Sequence, residues 1–400
     1  MDMQLALFLA LLRAGILGEG PALAPFADRW AEIRPAEIRD LALRHDVLVT
    51  VYTALDGAEE PALCQLKKEL KRIYAPRFAK AMNQDCEGTA LLDAFEEAGV
   101  DCIPLKGWSI RRLYADPLSR SMSDLDILVR DYGHARMMRL MEELGYTGES
   151  LSAWKHENYR KDPYMKVELH RRLTDDVGAA RDWEARMWSR CRPAEGCTHV
   201  FEMAPEDLCV HHLLHMREDF THGTLGFRRI ADLWLLQRKY PDLDRALLER
   251  ELASLDLGPF TRKMESLAAV CFEDLSADED TEVLLRFASD NSISGAKKTY
   301  QLGRMAMMSR GGLRSARLRS IWNAIFLPYE RMRAQYPAIE EHPILLPFCW
   351  AKRLLGLALS PEHYWKRLKS ADITEEDLDE MRRVLRAGGV LPQEGGGEES

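Results

Sequence analysis

The stretch that decides the fold is residues 101–130, which read DCIPLKGWSIRRLYADPLSRSMSDLDILVR. An apolar run ends at Lys106-Gly107, where the pattern predicts that a strand passes into a helix. Further along, Asp124 and Asp126 alternate with apolar residues, which is typical of a second strand. Residues two apart on a strand point to the same face. The two carboxylates are therefore expected to project together.

Paired carboxylates point to a cation. Two adjacent acids repel each other and are costly to bury unless a cation or protons lie between them. Hard oxygen ligands of this kind suit Mg²⁺, which also takes substrate phosphates as ligands. The alternative is a turn aspartate followed by a solvated strand aspartate, and Asp-x-Asp alone does not decide between the two.

A glycine and a third carboxylate favour the metal site. Gly107, at a turn from strand to helix, lets the backbone approach a phosphate, and a helix N-terminus favours anions. Residues 166–170 alternate like a further strand, which would turn Glu168 and His170 to one face. Glu168 would then complete a site of three carboxylates.

These residues carry a family resemblance. Gly107, the strand Asp124-x-Asp126 and Glu168 resemble the signature of the polymerase-beta-type nucleotidyltransferase superfamily. The motifs Leu-Lys-Gly, Asp-Leu-Asp-Ile-Leu-Val and Val-Glu-Leu-His most resemble those of a largely uncharacterised bacterial family within this superfamily. Further similarity extends to the helical segment and to the C-terminal part, at His215, Arg229-x-x-Asp232, Tyr336-Pro337 and Leu346-Pro347.

The resemblance implies transfer of a nucleoside monophosphate from a nucleoside triphosphate, with ATP as the expected donor, to an unknown acceptor. It implies Mg²⁺ or Mn²⁺ bound by the three catalytic carboxylates. The residues expected on the nucleotide side are Lys106, Gly107, Arg120 and His170, with Lys106 and Arg120 neutralising developing charge. The acceptor is a small molecule, a protein or an RNA.

One departure from the superfamily keeps two alternatives open. The superfamily has a serine at the turn, whereas Lys106-Gly107-Trp108 stands here. A catalytically inactive nucleotide-binding or interaction module is the first alternative. The second is a nucleotidyltransferase of the toxin–antitoxin type that acts on protein or tRNA.

Composition sets limits on the class of protein. The 400-residue chain carries a net charge of −9, which argues against general nucleic-acid binding. Eight scattered cysteines without a CxxC pair indicate reduced thiols in a cytoplasmic protein. The apolar run Leu5–Leu12 lacks a preceding Lys or Arg and is too short to span a bilayer, so it predicts a buried first helix.

The predicted fold class is α+β, with a small mixed-sheet core between helical regions. The predicted domains are a helical region (1–98), the nucleotidyltransferase-like core (99–195), a second helical region (196–391) and a disordered tail (392–400). A helical segment is predicted to start at Pro61, and its many Lys and Arg residues, through Arg72 and Lys80, are interpreted as a solvated helix face. Thr89 to Ala98 is predicted to be a further helix, ended by Gly99.

Two features of the second helical region have alternative interpretations. His211 and His215 share a helix face, as zinc ligands often do, but no third ligand is evident nearby. Hydrogen-bonded core histidines are the simpler interpretation, and packing of His215 under the nucleotide site is a third. Arg229 and Asp232 are expected to pair along a helix, either on the surface or as a buried contact that orients the helical region beside the cleft.

Overall fold

The computed structural model describes residues 1–151, 156–173, 178–291, 297–308, 311–326, 329, 332, 336, 339, 342–359 and 373–392. The chain divides into two compact units. The first combines Met1–Met216 with Gly226–Ile293, and the second combines Arg217–Leu225 with Ser294–Ser400. The predicted disordered tail lies outside the described residues, apart from residue 392. None of the described helices is long and apolar enough to cross a membrane.

A five-stranded mixed sheet forms the centre of the first unit, so the predicted α+β class is confirmed. Its strands are β1 (Cys102–Pro104), β2 (Leu125–Val129), β3 (Thr147–Leu151), β4 (His156–Lys161) and β5 (Met165–His170). Their order is β1-β2-β5-β4-β3, in which β2 and β5 are parallel and the other neighbours are antiparallel. Strands β4 and β5 form an antiparallel hairpin, and β3 has no counterpart among the predicted strands.

Helices precede, connect and follow the strands of the sheet in the first unit. They are α1 (Met3–Leu17), α2 (Pro35–Arg44), α3 (Leu48–Thr53), α4 (Pro61–Glu97), α5 (Lys106–Arg111), α6 (His134–Glu143), α7 (Ala179–Arg190), α8 (Pro205–Thr221), α9 (Phe227–Lys239), α10 (Arg245–Ser254), α11 (Gly258–Phe272) and α12 (Glu279–Asp290). The end of α8 belongs to the second unit. Two short strands, β6 (Arg192–Pro193) and β7 (Phe201–Glu202), pair separately.

The first helix is buried, as predicted. Its N-cap residue Asp2 accepts a hydrogen bond from the backbone N–H of Gln4, which satisfies one of the free donors at the helix start. Gly18 closes the other end in the left-handed conformation that favours glycine. Leu7, Leu11 and Leu12 are fully buried, and burial of each such side chain stabilises the fold by about 1.5–3 kcal/mol.

The long helix α4 joins the helical and sheet parts of the first unit. The sequence predicted separate helical segments here, whereas the structure has one helix of 37 residues with Pro76 inside it. Its C-terminal half contributes Leu91, Leu92 and Phe95 to the apolar cluster that covers one face of the sheet. The opposite face of β2 and β5 carries the charged residues described below.

The second unit is helical where it is described. Its elements are the end of α8, α13 (Lys297–Met308), α14 (Leu313–Ile325), α15 (Leu346–Leu359) and α16 (Glu375–Ala387). Thr374 and Asp377 form a reciprocal capping box at the start of α16. Gly223, at positive φ, leaves room for the backbone carbonyl of Thr299, which an added Cβ would approach to 2.4 Å.

Candidate functional site

Asp126 and Glu168 lie side by side on one face of the sheet. Strands β2 and β5 run parallel, and their register pairs Asp126 with Glu168 and Leu128 with His170. Because paired residues of neighbouring strands share a face, Glu168 and His170 lie on the same side as Asp126. Asp124 directly precedes β2, and its charged neighbours include Asp126 and Glu168.

Three side chains form a group able to hold a metal ion. Ligand atoms of Asp126, Glu168 and His170 all lie within 4.8 Å of one another. The Nε2 atom of His170 is 2.7 Å from Oδ1 of Asp126 and 3.7 Å from Oε2 of Glu168. The predicted ligands were Asp124, Asp126 and Glu168, whereas this group contains His170 and not Asp124. The two carboxylates suit Mg²⁺ or Mn²⁺, whereas an imidazole ligand is more typical of transition metals than of Mg²⁺.

Lys106 contacts this group from the turn after β1. The backbone N–H of Leu105 donates to the carbonyl of Asp126 at 2.9 Å, which holds the turn against β2. Lys106 itself adopts φ 43°, an uncommon conformation for a residue with a Cβ. Its Nζ lies 3.0 Å from Oδ1 of Asp126. Strained backbone of this kind clusters at functional sites, so the turn is a candidate ligand contact.

The two aspartates differ in their electrostatic environment. Burial alone would raise the pKa of Asp126, but the hydrogen bond from His170 and the charge of Lys106 outweigh burial and hold that pKa well below its usual range. Burial raises the pKa of Asp124, and the charges of Asp126 and Glu168 add to the increase. Asp124 is therefore the acid whose negative charge is only partly compensated, since Lys106 and Arg228 lower its pKa less than burial and the two carboxylates raise it.

Gly107 is required by close packing. A Cβ at this position would come within 2.7 Å of Nη1 of Arg120 and 3.0 Å of the Met122 side chain. Arg120 cannot readily move, because its Nε and Nη2 donate to the two carboxylate oxygens of Asp232 at 2.9 and 2.6 Å. The glycine turn is thus fitted against a fixed guanidinium group.

The buried ion pair corrects two predictions. Asp232 pairs with Arg120 rather than with Arg229, and it also accepts a hydrogen bond from the hydroxyl of Tyr114 at 2.8 Å. Arg120, predicted to neutralise phosphate charge, has a side chain only 7% exposed and bonds both oxygens of an internal carboxylate. Asp232 still links α9 to the residues beside the site, as expected, but it does so through Arg120 and not through Arg229.

The histidines of α8 also lie close to the site. His211 is buried, and Lys106 and Asp126 are among its charged neighbours. Burial lowers its pKa well below the usual range, so the imidazole is neutral at pH 7. His212 instead contacts the carbonyl of Arg229 at 2.9 Å from Nε2. The metal-ligand group found in the described part of the chain does not include His211 or His215.

Sequence reasoning missed Lys80, which lies half-buried on α4 with Asp124 among its charged neighbours. Its segment was interpreted as a solvated face, an interpretation that suits the exposed Lys71 and Arg72. The only signal in the sequence was spacing, since Lys80 stands one helical turn from Arg77 and from Gln84.

Comparison with known proteins gives one match. The model of a family described as uncharacterised nucleotidyltransferase matches residues 31–273, which is more than half of the chain and includes every residue of the site described above. No curated protein and no solved structure matches the chain.

Proposed function

Since this chain belongs to the family of uncharacterised nucleotidyltransferases, we propose that it transfers a nucleoside monophosphate from a nucleoside triphosphate to an acceptor hydroxyl. The acceptor oxygen bonds to the α-phosphorus, the bond to the bridging oxygen breaks, and pyrophosphate leaves. The observation that carries the proposal is the pairing of Asp126 with Glu168 on parallel strands, next to His170 and the glycine turn.

The metal-binding role is assigned to Asp126, Glu168 and His170, with Asp124 beside them. Asp126 stays ionised because His170 and Lys106 lower its pKa, which suits a metal ligand. Bound Mg²⁺ or Mn²⁺ would supply positive charge that stabilises the triphosphate and the leaving pyrophosphate.

Glu168 has a second proposed role, and the glycine turn has roles of its own. Glu168 has a side chain 33% exposed, against 7% for Asp126, so it is the carboxylate that an acceptor hydroxyl can reach. It would accept the hydroxyl proton as a general base. Lys106 would exchange its contact with Asp126 for a phosphate oxygen, and Gly107 would let the backbone approach the triphosphate. Arg120 supports Gly107 rather than the phosphates.

Several finer assignments are part of the same proposal. We place the chain in the polymerase-beta-type superfamily, with ATP as donor and the cytoplasm as location. A second candidate function is nucleotide binding without turnover. One observation favours it. The Nζ of Lys106 lies 3.0 Å from Oδ1 of Asp126, and Lys106-Gly107-Trp108 stands where the superfamily has a serine.

The experiment is a label-transfer screen. The full chain is incubated with each of the four α-labelled nucleoside triphosphates, with Mg²⁺ or Mn²⁺, in the presence of cell extract. Label on a protein, an RNA or a small molecule, lost with Asp126→Asn, supports transfer and identifies the acceptor class. Binding of a nucleotide without any labelled product supports the second candidate. Absence of binding to all four nucleotides with either metal contradicts both.

A further inference from the structure

Lys80 is directed toward the charged face of the sheet by its neighbours on α4. Nη1 of Arg77, one turn earlier, lies 3.6 Å from Oδ1 of Asp46. The amide Nε2 of Gln84, one turn later, donates to the carbonyl of Ser123 at 3.5 Å. Residues three and four apart on a helix share a face. The Lys80 side chain therefore lies between Asp46 and the segment that leads into β2.

The ammonium group of Lys80 has no direct partner among the described residues. In the described part of the chain, Lys80 forms no hydrogen bond and no ion pair, although it is half-buried. Its charged neighbours are Asp46, Asp124, Lys166 and Arg77. Asp46 is already engaged by Arg228, which donates to its Oδ2. A partly buried ammonium group without a partner is unfavourable unless a ligand or solvent completes its hydrogen bonds.

The sheet register shows where Lys80 stands relative to the metal-ligand group. The register on the charged face pairs Asp126 with Glu168 and Leu128 with His170. Asp124 and Lys166 lie two residues before Asp126 and Glu168, so we count them as the first of three rows on this face. The metal-ligand group occupies the second and third rows. Lys80 has both residues of the first row among its neighbours. Adjacent rows lie about 7 Å apart along a strand, a distance that a triphosphate chain can span.

We propose that Lys80 binds the β- and γ-phosphates of the nucleoside triphosphate, which extends from Asp126 and Glu168 toward the row of Asp124 and Lys166. This inference rests on the proposed function and adds the direction of the triphosphate and one of its ligands. The position suits the leaving pyrophosphate, because Lys80 and Lys166 then hold the part of the substrate that departs. Lys106 is left to contact the phosphate nearest the metal-ligand group.

Inorganic tripolyphosphate with Mg²⁺ is the probe, because it has the phosphate chain without the nucleoside. Its affinity for the full chain is measured by calorimetry. Lys80→Met is expected to weaken binding by roughly tenfold or more, through loss of a charge-assisted hydrogen bond. Lys80→Arg keeps the charge and is expected to restore most of the affinity, whereas Lys80→Gln is not.

The matched control is Lys71→Met, which removes the same charge from an exposed position of the same helix. It is expected to bind tripolyphosphate within about twofold of the wild type, since exposed charges at a distance are screened. Thermal melts identify which variants are folded. If Lys80→Met and Lys80→Gln fold and bind as the wild type does, the inference is wrong while the proposed function stands. A wild-type protein that binds neither tripolyphosphate nor any nucleotide overturns both.

Discussion

Replacement of Asp232 by alanine tests the buried contact that supports the glycine turn. In the wild type, the two oxygens of Asp232 accept hydrogen bonds from Nε and Nη2 of Arg120, and Oδ1 also accepts from Tyr114. Asp232 is fully buried, and the Arg120 side chain is 7% exposed. Asp232→Ala leaves the guanidinium charge in place without its partner.

The expected cost follows from this burial. Removal of one partner from a buried ion pair destabilises a protein by about 3–5 kcal/mol, because the remaining charge is not compensated. An exposed pair would contribute far less, typically below about 1 kcal/mol. The hydroxyl of Tyr114 also loses its acceptor, so the cost should lie toward the upper part of the range.

Thermal and urea unfolding of the full chain measure the effect. The midpoint should fall by at least about 6 °C, since each kcal/mol shifts it by about 2 °C in a unit of this size. Glu32→Ala, which breaks an exposed pair with Arg29, is the control and should leave the midpoint unchanged. The double variant Arg120→Met/Asp232→Leu should recover much of the loss, because no buried charge remains. A midpoint for Asp232→Ala equal to that of the wild type would refute the reasoning.

Three further variants test the site itself. Asp126→Asn should abolish metal-dependent nucleotide binding, and equal binding of Mg-ATP by the variant and the wild type would contradict this. The variant should also have a lower unfolding midpoint, since Lys106 and His170 stabilise the ionised carboxylate of Asp126. Asp124→Asn should raise the midpoint without metal. The pKa of Asp124 is raised in the folded state, so its ionisation destabilises the fold increasingly as pH rises from the unfolded pKa, about 3.9, through the folded pKa. Melts from pH 3 to 8 should therefore show a higher midpoint for Asp124→Asn at neutral pH and no difference from the wild type in acid. Gly107→Ala should cost about 1–3 kcal/mol in urea unfolding through its clash with Arg120, whereas Gly133→Ala, with open space at its Cβ, should cost little; equal costs would contradict the packing argument.

The sequence predicted what depends on local periodicity. Alternation along β2 and β5 turned Asp126 and Glu168 toward a common face, and the observed register places them side by side. The passage from strand to helix was also located near Lys106-Gly107, although α5 already begins at Lys106. The expected loss of stability in Asp126→Asn follows from the ion pair with Lys106, which strand periodicity does not reveal.

Contacts between distant parts of the chain could not be predicted in this way. Asp232 lies 112 residues after Arg120, and a spacing of three made Arg229 the more obvious partner. Lys80 lay in a run of charges that resembled a solvated surface, and only its tertiary neighbours distinguish it from Lys71. Strand β3 was missed because Thr147, Gly148 and Ser150 give it no apolar alternation.

The pair between Arg120 and Asp232 has a consequence for protein dissection. Residues 99–195 contain the motif and all five strands, and on sequence grounds they are the natural fragment to express alone. That fragment would carry the Arg120 charge without its acid, and it would lack the α4 residues Leu91 and Phe95 that cover the sheet. The segment that identifies this protein is therefore shorter than the segment that we expect to fold, and a fragment must include both α4 and α9 to keep the site intact.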